Sequence, residues 1–163
     1  MAKPKRSGIL VGTAGVYFVA SQLAARGFHA APTFGNAPNV DILAGLPDGT
    51  ATVSLQVKTT WNAIRKQGRG QEKKPHHYEW DVGERSARLN KPELFFAFVD
   101  LKGNREMPDV YIVPSEVIHG TLERLLEMDK KVRVRWHPKT ETAEKYRNRW
   151  DILLNYLKDR SNL

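Results

Sequence analysis

Residues 40–58 read VDILAGLPDGTATVSLQVK, and this stretch decides how we expect the chain to fold. Val40–Ala44 is a short apolar run, and Pro47-Asp48-Gly49 is a strong turn signal. Ala51–Lys58 then alternates apolar with polar residues, as a half-buried strand does. The pattern predicts a β-hairpin in which Val40–Ala44 returns as Ala51–Lys58.

The predicted hairpin brings several oxygen-bearing and charged groups together. Asp41 begins its first strand, and Gln56 and Lys58 share the polar face of its second strand because side chains alternate. A carboxylate, an amide oxygen and a backbone carbonyl such as that of Val57 are the ligands that Mg²⁺ prefers. A lysine beside such an ion can help to deprotonate water and stabilise charge on a phosphate. Phosphodiester hydrolysis requires these groups.

Each of these residues also has a structural alternative. Asp41 could cap a turn with Asn39, since aspartate is common in turns. Gln56 and Lys58 could form the solvated face of an edge strand, where lysine commonly discourages pairing with another chain. The residues alone leave these alternatives open.

Outward from the hairpin, the pattern predicts a mixed α/β domain with three layers and a central sheet. A helix over Ala14–Arg26 is expected to stop at Gly27, and Ser115 is expected to cap a helix that continues through Met128. Apolar runs and periodicity predict a last helix over Glu141–Lys158 and strands at Phe28–Pro32, Tyr78–Val82, Leu94–Leu101, Val110–Val113 and Val132–Trp136. Residues Trp61–Tyr78 have no clear period and high charge, which predicts a mobile loop.

Charge points to a polyanionic partner. The 163 residues include 26 Lys and Arg against 18 Asp and Glu, a net charge of +8 that favours nucleic acid binding. The excess lies mainly in two blocks, Trp61–Tyr78 and Lys130–Arg149. We expect the first block to contact phosphates through Arg65, Lys66, Arg69, Lys73 and Lys74, because it follows the predicted site. Trp61 is expected either to stack on a base or to anchor the loop.

Composition also narrows the class of protein. The chain has no cysteine, which rules out disulfides, thiolate catalysis and cysteine-ligated zinc, and is compatible with a reducing, cytoplasmic location. No stretch approaches the length that we expect of a membrane span, and no secretory signal is expected after the basic start. Gly12-Thr13-Ala14-Gly15 lacks the spacing of a phosphate-binding loop, so no nucleotide cofactor is expected.

A family resemblance rests on the hairpin together with the helix before it. The predicted first helix contains Gly15-Val16-Tyr17 and ends at Arg26-Gly27-Phe28. It is followed by Asp41 and, after fourteen intervening residues, by Gln56-Val57-Lys58. This arrangement resembles the Mrr-like branch of the PD-(D/E)XK nuclease superfamily. The later strands, Leu94–Leu101 and Val110–Val113, are similar to the later core strands of that superfamily in pattern only.

The resemblance implies a fold, an activity and a set of site residues. The fold is restriction-endonuclease-like, with a basic arm over residues 1–7 and a single domain over residues 8–163. The activity is Mg²⁺- or Mn²⁺-dependent endonuclease cleavage of DNA, with Asp41, Gln56 and Val57 as metal ligands and Lys58 as a catalytic residue beside Asp41 and Gln56. A homodimer is also common among such nucleases.

One departure from the family keeps a second function open. The family usually carries a glutamate directly after the glycine of the first helix, and here Val16 takes that place. A site with Asp41 as its only carboxylate holds Mg²⁺ weakly. The alternative is a catalytically inactive nucleic-acid-binding module on the same fold.

Overall fold

A computed structural model describes residues 6–34, 39–128 and 133–161. These residues form five α-helices and nine strands. The helices are α1 (Gly8–Ala25), α2 (Glu84–Ala87), α3 (Ser115–Leu126), α4 (Thr140–Glu144) and α5 (Asp151–Ser161). The strands are β1 (His29–Pro32), β2 (Ile42–Gly45), β3 (Thr52–Thr60), β4 (Ile64–Gln67), β5 (Lys74–Tyr78), β6 (Trp80–Asp81), β7 (Leu94–Asp100), β8 (Asp109–Pro114) and β9 (Arg135–Trp136).

The centre of the molecule is a mixed sheet in the order β1-β2-β3-β7-β8. The predicted hairpin forms β2 and β3, which pair antiparallel with Ile42 opposite Leu55. On its other side β3 pairs parallel with β7, and β8 continues the sheet antiparallel. The α/β fold with a central mixed sheet is therefore confirmed.

Both faces of this sheet are covered, which explains the apolar composition of β7. Phe95, Ala97 and Val99 pack on the face covered by α1 and α5, whereas Phe96 and Phe98 pack on the opposite face. That opposite face is covered by α3 and by the β6–β9 pair. A strand buried on both faces has no polar side to alternate with, and every residue of β7 is buried.

The first helix starts earlier than the sequence predicts and covers one face of the sheet. Ser7 caps it by accepting a hydrogen bond from the Leu10 N–H at 3.2 Å, and the chain leaves at Gly27 with φ of 86°, a conformation that favours glycine. Contrary to expectation, α1 is long and apolar enough to cross a membrane by length and composition alone. Part of its apolar character serves the core, because Val19 and Leu23 are buried against the sheet.

Two predicted elements are wrong, and both errors have a local cause. Residues 61–78 contain the antiparallel ribbon β4–β5, which has few apolar residues and so lacks the alternation that marks a half-buried strand. The expected last helix is split into α4 and α5, with Asn148 between them at φ of 53°. Tyr146 and Leu153, which share the helical spacing, therefore pack into opposite cores.

The predicted cap of α3 is also wrong. Ser115 is the first helical residue, and its hydroxyl accepts from the Lys91 N–H at 2.9 Å and donates to the Lys91 carbonyl at 2.7 Å. Ser115 thus ties the start of α3 to the loop before β7. Residues 1–5 of the predicted arm over residues 1–7 and part of the predicted strand Val132–Trp136 lie outside the described residues.

Candidate active site

The candidate site is built where β2 begins beside the middle of β3. The backbone of Asp41 is held from two sides, because its N–H donates to the Leu55 carbonyl at 2.8 Å and its carbonyl accepts from the Thr33 N–H at 2.9 Å. Asn39, two residues earlier, has φ of 65° and turns the chain into this position. The local backbone therefore fixes the direction in which Asp41 leaves the sheet.

The carboxylate of Asp41 binds two groups of β3. One oxygen accepts from the Gln56 side-chain amide at 2.5 Å and from the Val57 N–H at 2.7 Å. The turn-capping alternative for Asp41 is therefore wrong, since its carboxylate serves β3 rather than its own turn. The structure brings Asp41, Gln56 and Val57 into direct contact, as the hairpin predicted.

Gln56 is more buried than a solvated edge residue. Its residue exposure is 8 %, and it lies on β3 just after the residues that pair with β2 and opposite Phe96 of β7. The solvated-edge alternative is wrong for Gln56 because its side chain is buried, although β2 pairs only with Thr52–Leu55 and leaves β7 as the one strand beside Gln56 among the described residues. The amide oxygen Oε1 of Gln56 is buried and has no hydrogen-bond partner in the part of the chain that the structure describes. An orphaned buried oxygen of this kind is costly unless something binds it.

The Val57 carbonyl is a further candidate oxygen ligand. The N–H and the carbonyl of Val57 lie on the same edge of β3, and the N–H points to Asp41. The carbonyl therefore faces the same side of β3 as the carboxylate. A hard divalent cation such as Mg²⁺ prefers oxygen ligands of these kinds: the carboxylate of Asp41, the unpartnered amide oxygen of Gln56 and the carbonyl of Val57. Within the described ranges no group of three or more His, Cys, Asp or Glu could hold a metal ion, so this donor set is not supplemented by such a cluster.

Lys58 lies on the same face of β3 as Gln56 and is directed towards α2. Its register partner on β7 is Phe98, and its Nζ donates to the Ser86 hydroxyl at 3.1 Å. No ion pair joins Lys58 directly to Asp41 in the described structure, although their charges attract each other. Sequence reasoning missed Ser86, because 28 residues separate it from Lys58 and no local pattern links them.

Burial favours the neutral forms of Asp41 and Lys58 and so shifts their pKa values in opposite directions. It raises the pKa of Asp41, against the opposing effects of the Val57 N–H, the Lys58 charge and the Gln56 amide. It lowers the pKa of Lys58, against the attraction of Asp41 and Asp81. Opposed shifts in a pair of neighbouring groups are typical of sites that exchange protons or bind ions.

A cavity of about 380 Å³ opens beside Asp41 on the side of α1. Val16 is partly exposed and lines this cavity together with Gln56 and Val57, so it borders the site as the resemblance implied. The other lining residues come from α1 and the end of β1: Gly12, Thr13, Tyr17, Pro32, Thr33 and Phe34.

The predicted phosphate contacts lie on the β4–β5 ribbon and on the turn between its strands. Lys66, Arg69, Lys73 and Lys74 are exposed there. Arg65 is different, because its guanidinium binds the Asn62 carbonyl at 2.7 Å and pairs with Glu79 at 3.3 Å. Trp61 is covered by the Arg6 guanidinium, which lies 3.9 Å from the ring centroid.

Comparison with known proteins identifies one similar solved structure. No protein-family model matches the chain, and no curated protein sequence matches it. The chain is similar to the structure of a bacterial homing endonuclease, I-Ssp6803I, with a TM-score of 0.62 and 14% sequence identity. The match covers 97% of this chain and 99% of that one, so the two share their fold over nearly their whole length.

Proposed function

We propose that this protein is a Mg²⁺- or Mn²⁺-dependent DNA endonuclease of the PD-(D/E)XK superfamily, in its Mrr-like branch. The contact of Asp41 with Gln56 and Val57 carries the proposal, because it joins a partly buried carboxylate to a side-chain amide whose oxygen is buried and has no partner in the described residues. The fold shared with a homing endonuclease supports the same class of reaction.

Asp41, Gln56 and the carbonyl of Val57 would hold the cation. When bound, the cation supplies positive charge that polarises the phosphate and lowers the pKa of water. Burial makes the Lys58 amine easier to deprotonate, and the amine can then take a proton from the attacking water. The water oxygen bonds to phosphorus as a P–O bond of the backbone breaks, and the departing oxygen takes a proton from a solvent water molecule. Ser86 is a positioning residue that holds the Nζ of Lys58.

The ribbon β4–β5 supports DNA as the substrate. A two-stranded ribbon is one of the elements that fits the major groove. Its exposed cations have no ion-pair partner within the described ranges, and an unpaired cation is free to replace the counterions of a phosphate. We therefore propose that Lys66, Arg69, Lys73 and Lys74 bind the backbone, and that Arg65 shapes the ribbon.

Val16 favours a second candidate, a DNA-binding module that has lost cleavage. Val16 borders the cavity beside Asp41, at the place where a second carboxylate would strengthen cation binding. A protein that only binds DNA keeps the basic ribbon and has no need of a strong metal site.

Cleavage by Asp41→Ala and Lys58→Ala variants separates the two candidates. We expect both variants to lose Mg²⁺- or Mn²⁺-dependent cutting of plasmid DNA by at least about 100-fold, because each removes a group that acts on the transition state. Their DNA affinity in EDTA should stay within about threefold of the wild type, since the ribbon is unchanged.

Lys158→Ala is the matched control, because this exposed lysine of α5 lies outside the site. It should cut as the wild type does. A wild-type protein that binds DNA but cuts none of the tested forms with either metal supports the binding module instead.

A further inference from the structure

Two large aromatic side chains stand at the mouth of the cavity beside Asp41. Phe34 follows β1 and is 85% exposed, and Tyr17 of α1 is 58% exposed. Both line the same cavity as the carboxylate and the buried amide of Gln56. Contiguous exposed apolar surface rimmed by polar groups is a feature of ligand-binding grooves.

The fold itself does not use these rings. The face of α1 that packs on the sheet consists of Val19, Ala20 and Leu23, and neither Tyr17 nor Phe34 joins either core. The cavity wall between them is uncharged except for Asp41. The part of the cavity between the two rings therefore suits a flat, uncharged group, which would lie next to whatever Asp41 acts on.

We propose that Tyr17 and Phe34 bind a nucleobase by stacking, so that the preferred substrate is DNA with an unpaired base next to the bond to be cut. This inference rests on the proposed function. A phosphate would be repelled by Asp41 in this cavity when no cation is bound, whereas a base is neutral and has two π faces. Stacking on aromatic side chains is the usual way in which proteins hold bases that have left the helix.

The position of the site agrees with this assignment. The cations that suit the phosphates lie on the β4–β5 ribbon, and the cavity beside Asp41 has none in its lining. Backbone and base would therefore contact different parts of the protein. A base bound at Tyr17 and Phe34 would place its own phosphate close to Asp41.

Other occupants would use a different surface. Ile9 and Leu10 of α1 are 81% and 63% exposed, but they do not line the cavity. A membrane or a second copy of this chain would cover them together with Tyr17. A nucleobase needs only the two rings, so Ile9 and Leu10 provide the matched control.

The test compares binding of a fully paired duplex with the same duplex carrying one bulged base, in EDTA so that no cutting occurs. We expect the wild type to bind the bulged duplex about tenfold more tightly, because stacking contributes that much per base. Phe34→Leu and Tyr17→Leu keep apolar surface but lose the rings, and each should reduce the preference to about twofold or less. The Ile9→Ala/Leu10→Ala variant should keep it.

A second measurement reports the stack directly. With 2-aminopurine as the bulged base, we expect its fluorescence to be quenched in the complex with wild type and recovered with Phe34→Leu. No bulge preference in the wild type, or a preference and a quench that survive in Phe34→Leu, overturns the inference. Equal loss in the Ile9→Ala/Leu10→Ala variant overturns it in favour of a general apolar interface.

The proposed function fails on a different readout. Absence of cutting with Mg²⁺ and Mn²⁺, with the bulge preference intact, removes the nuclease and leaves base binding in place. Cutting without any bulge preference removes base binding and leaves the nuclease in place.

Discussion

The carboxylate of Asp41 is held by β3 while burial raises its pKa. An ionised Asp41 in this place is stabilised by the Val57 N–H and the Gln56 amide, and the orphaned Oε1 of Gln56 remains beside it. A cation would satisfy the amide oxygen and favour the ionised carboxylate at once. These features support the proposed cation at Asp41.

Val16→Glu tests whether the cavity wall can complete this site. A second carboxylate beside Asp41 is repelled by it, so the variant should melt at a lower temperature than wild type in EDTA. With Mg²⁺ or Mn²⁺ the new ligand should bind the ion, and the melting temperature should rise with ion concentration by mass action. Melting curves across a metal titration measure both effects.

The wild type is the reference for this titration, since it has Asp41 but no second carboxylate at Val16. A loss of stability that metal does not relieve would mean that Val16 acts as core packing. The placement of α1 against the site would then be wrong.

At the scale of elements, the site depends on how closely α1 approaches β3. A Cβ on Gly15 would lie 1.8 Å from Thr59 Oγ1 and 2.8 Å from Thr59 Cβ, so only glycine fits there without a shift. This contact sets the distance between the helix that carries Val16 and the strand that carries Gln56.

Gly15→Ala and Gly12→Ala should therefore have opposite effects on the free energy of unfolding. Overpacking at Gly15 costs about 1–3 kcal/mol, which exceeds the gain of about 1 kcal/mol in helix propensity. A Cβ on Gly12 meets nothing within 4 Å, so the same substitution should stabilise by about 1 kcal/mol. Urea denaturation measures both, and stabilisation of similar size in the two variants would show that α1 can move away from β3.

Asp109 connects elements that are distant in the chain. Its carboxylate pairs with Lys102 at 2.7 Å and Arg147 at 2.8 Å, and it accepts from the Asn148 amide at 2.9 Å. Burial acts to raise the pKa of Asp109, but these three partners outweigh it and hold the pKa below its ordinary value. The carboxylate thus fastens β8 to the segment between α4 and α5.

A lowered folded-state pKa makes this stabilisation sensitive to acid. It is fully present above the unfolded pKa of about 3.9 and is lost as the pH falls through the lowered folded value. We expect Asp109→Asn to cost about 2 kcal/mol at pH 7, and the difference from wild type to shrink towards pH 2. Denaturation at several pH values measures this, and a difference that is constant with pH would contradict it.

At the scale of the whole molecule, the two basic blocks differ in how their charge is used. Arginines of the second block are paired: Arg133 and Arg135 bind Asp81, Arg147 binds Asp109, and Arg149 binds Asp151. The exposed cations of the β4–β5 ribbon have no such partner in the described part of the chain. The ribbon therefore carries a cluster of unpaired cations that is available to DNA, whereas only lysines of the second block, such as Lys139 and Lys145, are left unpaired in the described residues.

Replacing Lys66, Arg69, Lys73 and Lys74 with glutamine should flatten the salt dependence of DNA affinity. Each lost phosphate contact lowers the slope of log K against log salt by about 0.9. The control is Arg133→Gln/Arg149→Gln, which removes charge from paired residues and should leave the slope nearly unchanged. Fluorescence anisotropy at several salt concentrations gives the slopes. Equal slopes for the ribbon variant and the wild type would remove the ribbon from the DNA interface.

Local patterns in the sequence determined the hairpin of β2 and β3, the exit of α1 at Gly27 and the buried strand β7. Each depends on neighbours a few residues apart, such as the turn Pro47-Asp48-Gly49 or the alternation in β3. The alternation in β3 predicted that Gln56 and Lys58 share one face, and the hairpin predicted that Asp41 lies near them. The structure confirms the contact of Asp41 with Gln56.

Only the tertiary structure decided how these parts meet. Parallel pairing with β7 buries Gln56 and makes β3 central, and Ser86 reaches Lys58 across 28 residues. The strands of the β4–β5 ribbon pair through their backbones, and they have too few apolar side chains to be predicted from the sequence. Asn148 divides a segment whose apolar residues have continuous helical spacing. Tyr17 and Phe34 come together because α1 packs beside the end of β1. Periodicity reports local burial, whereas contacts between distant segments follow from the packing of the whole core.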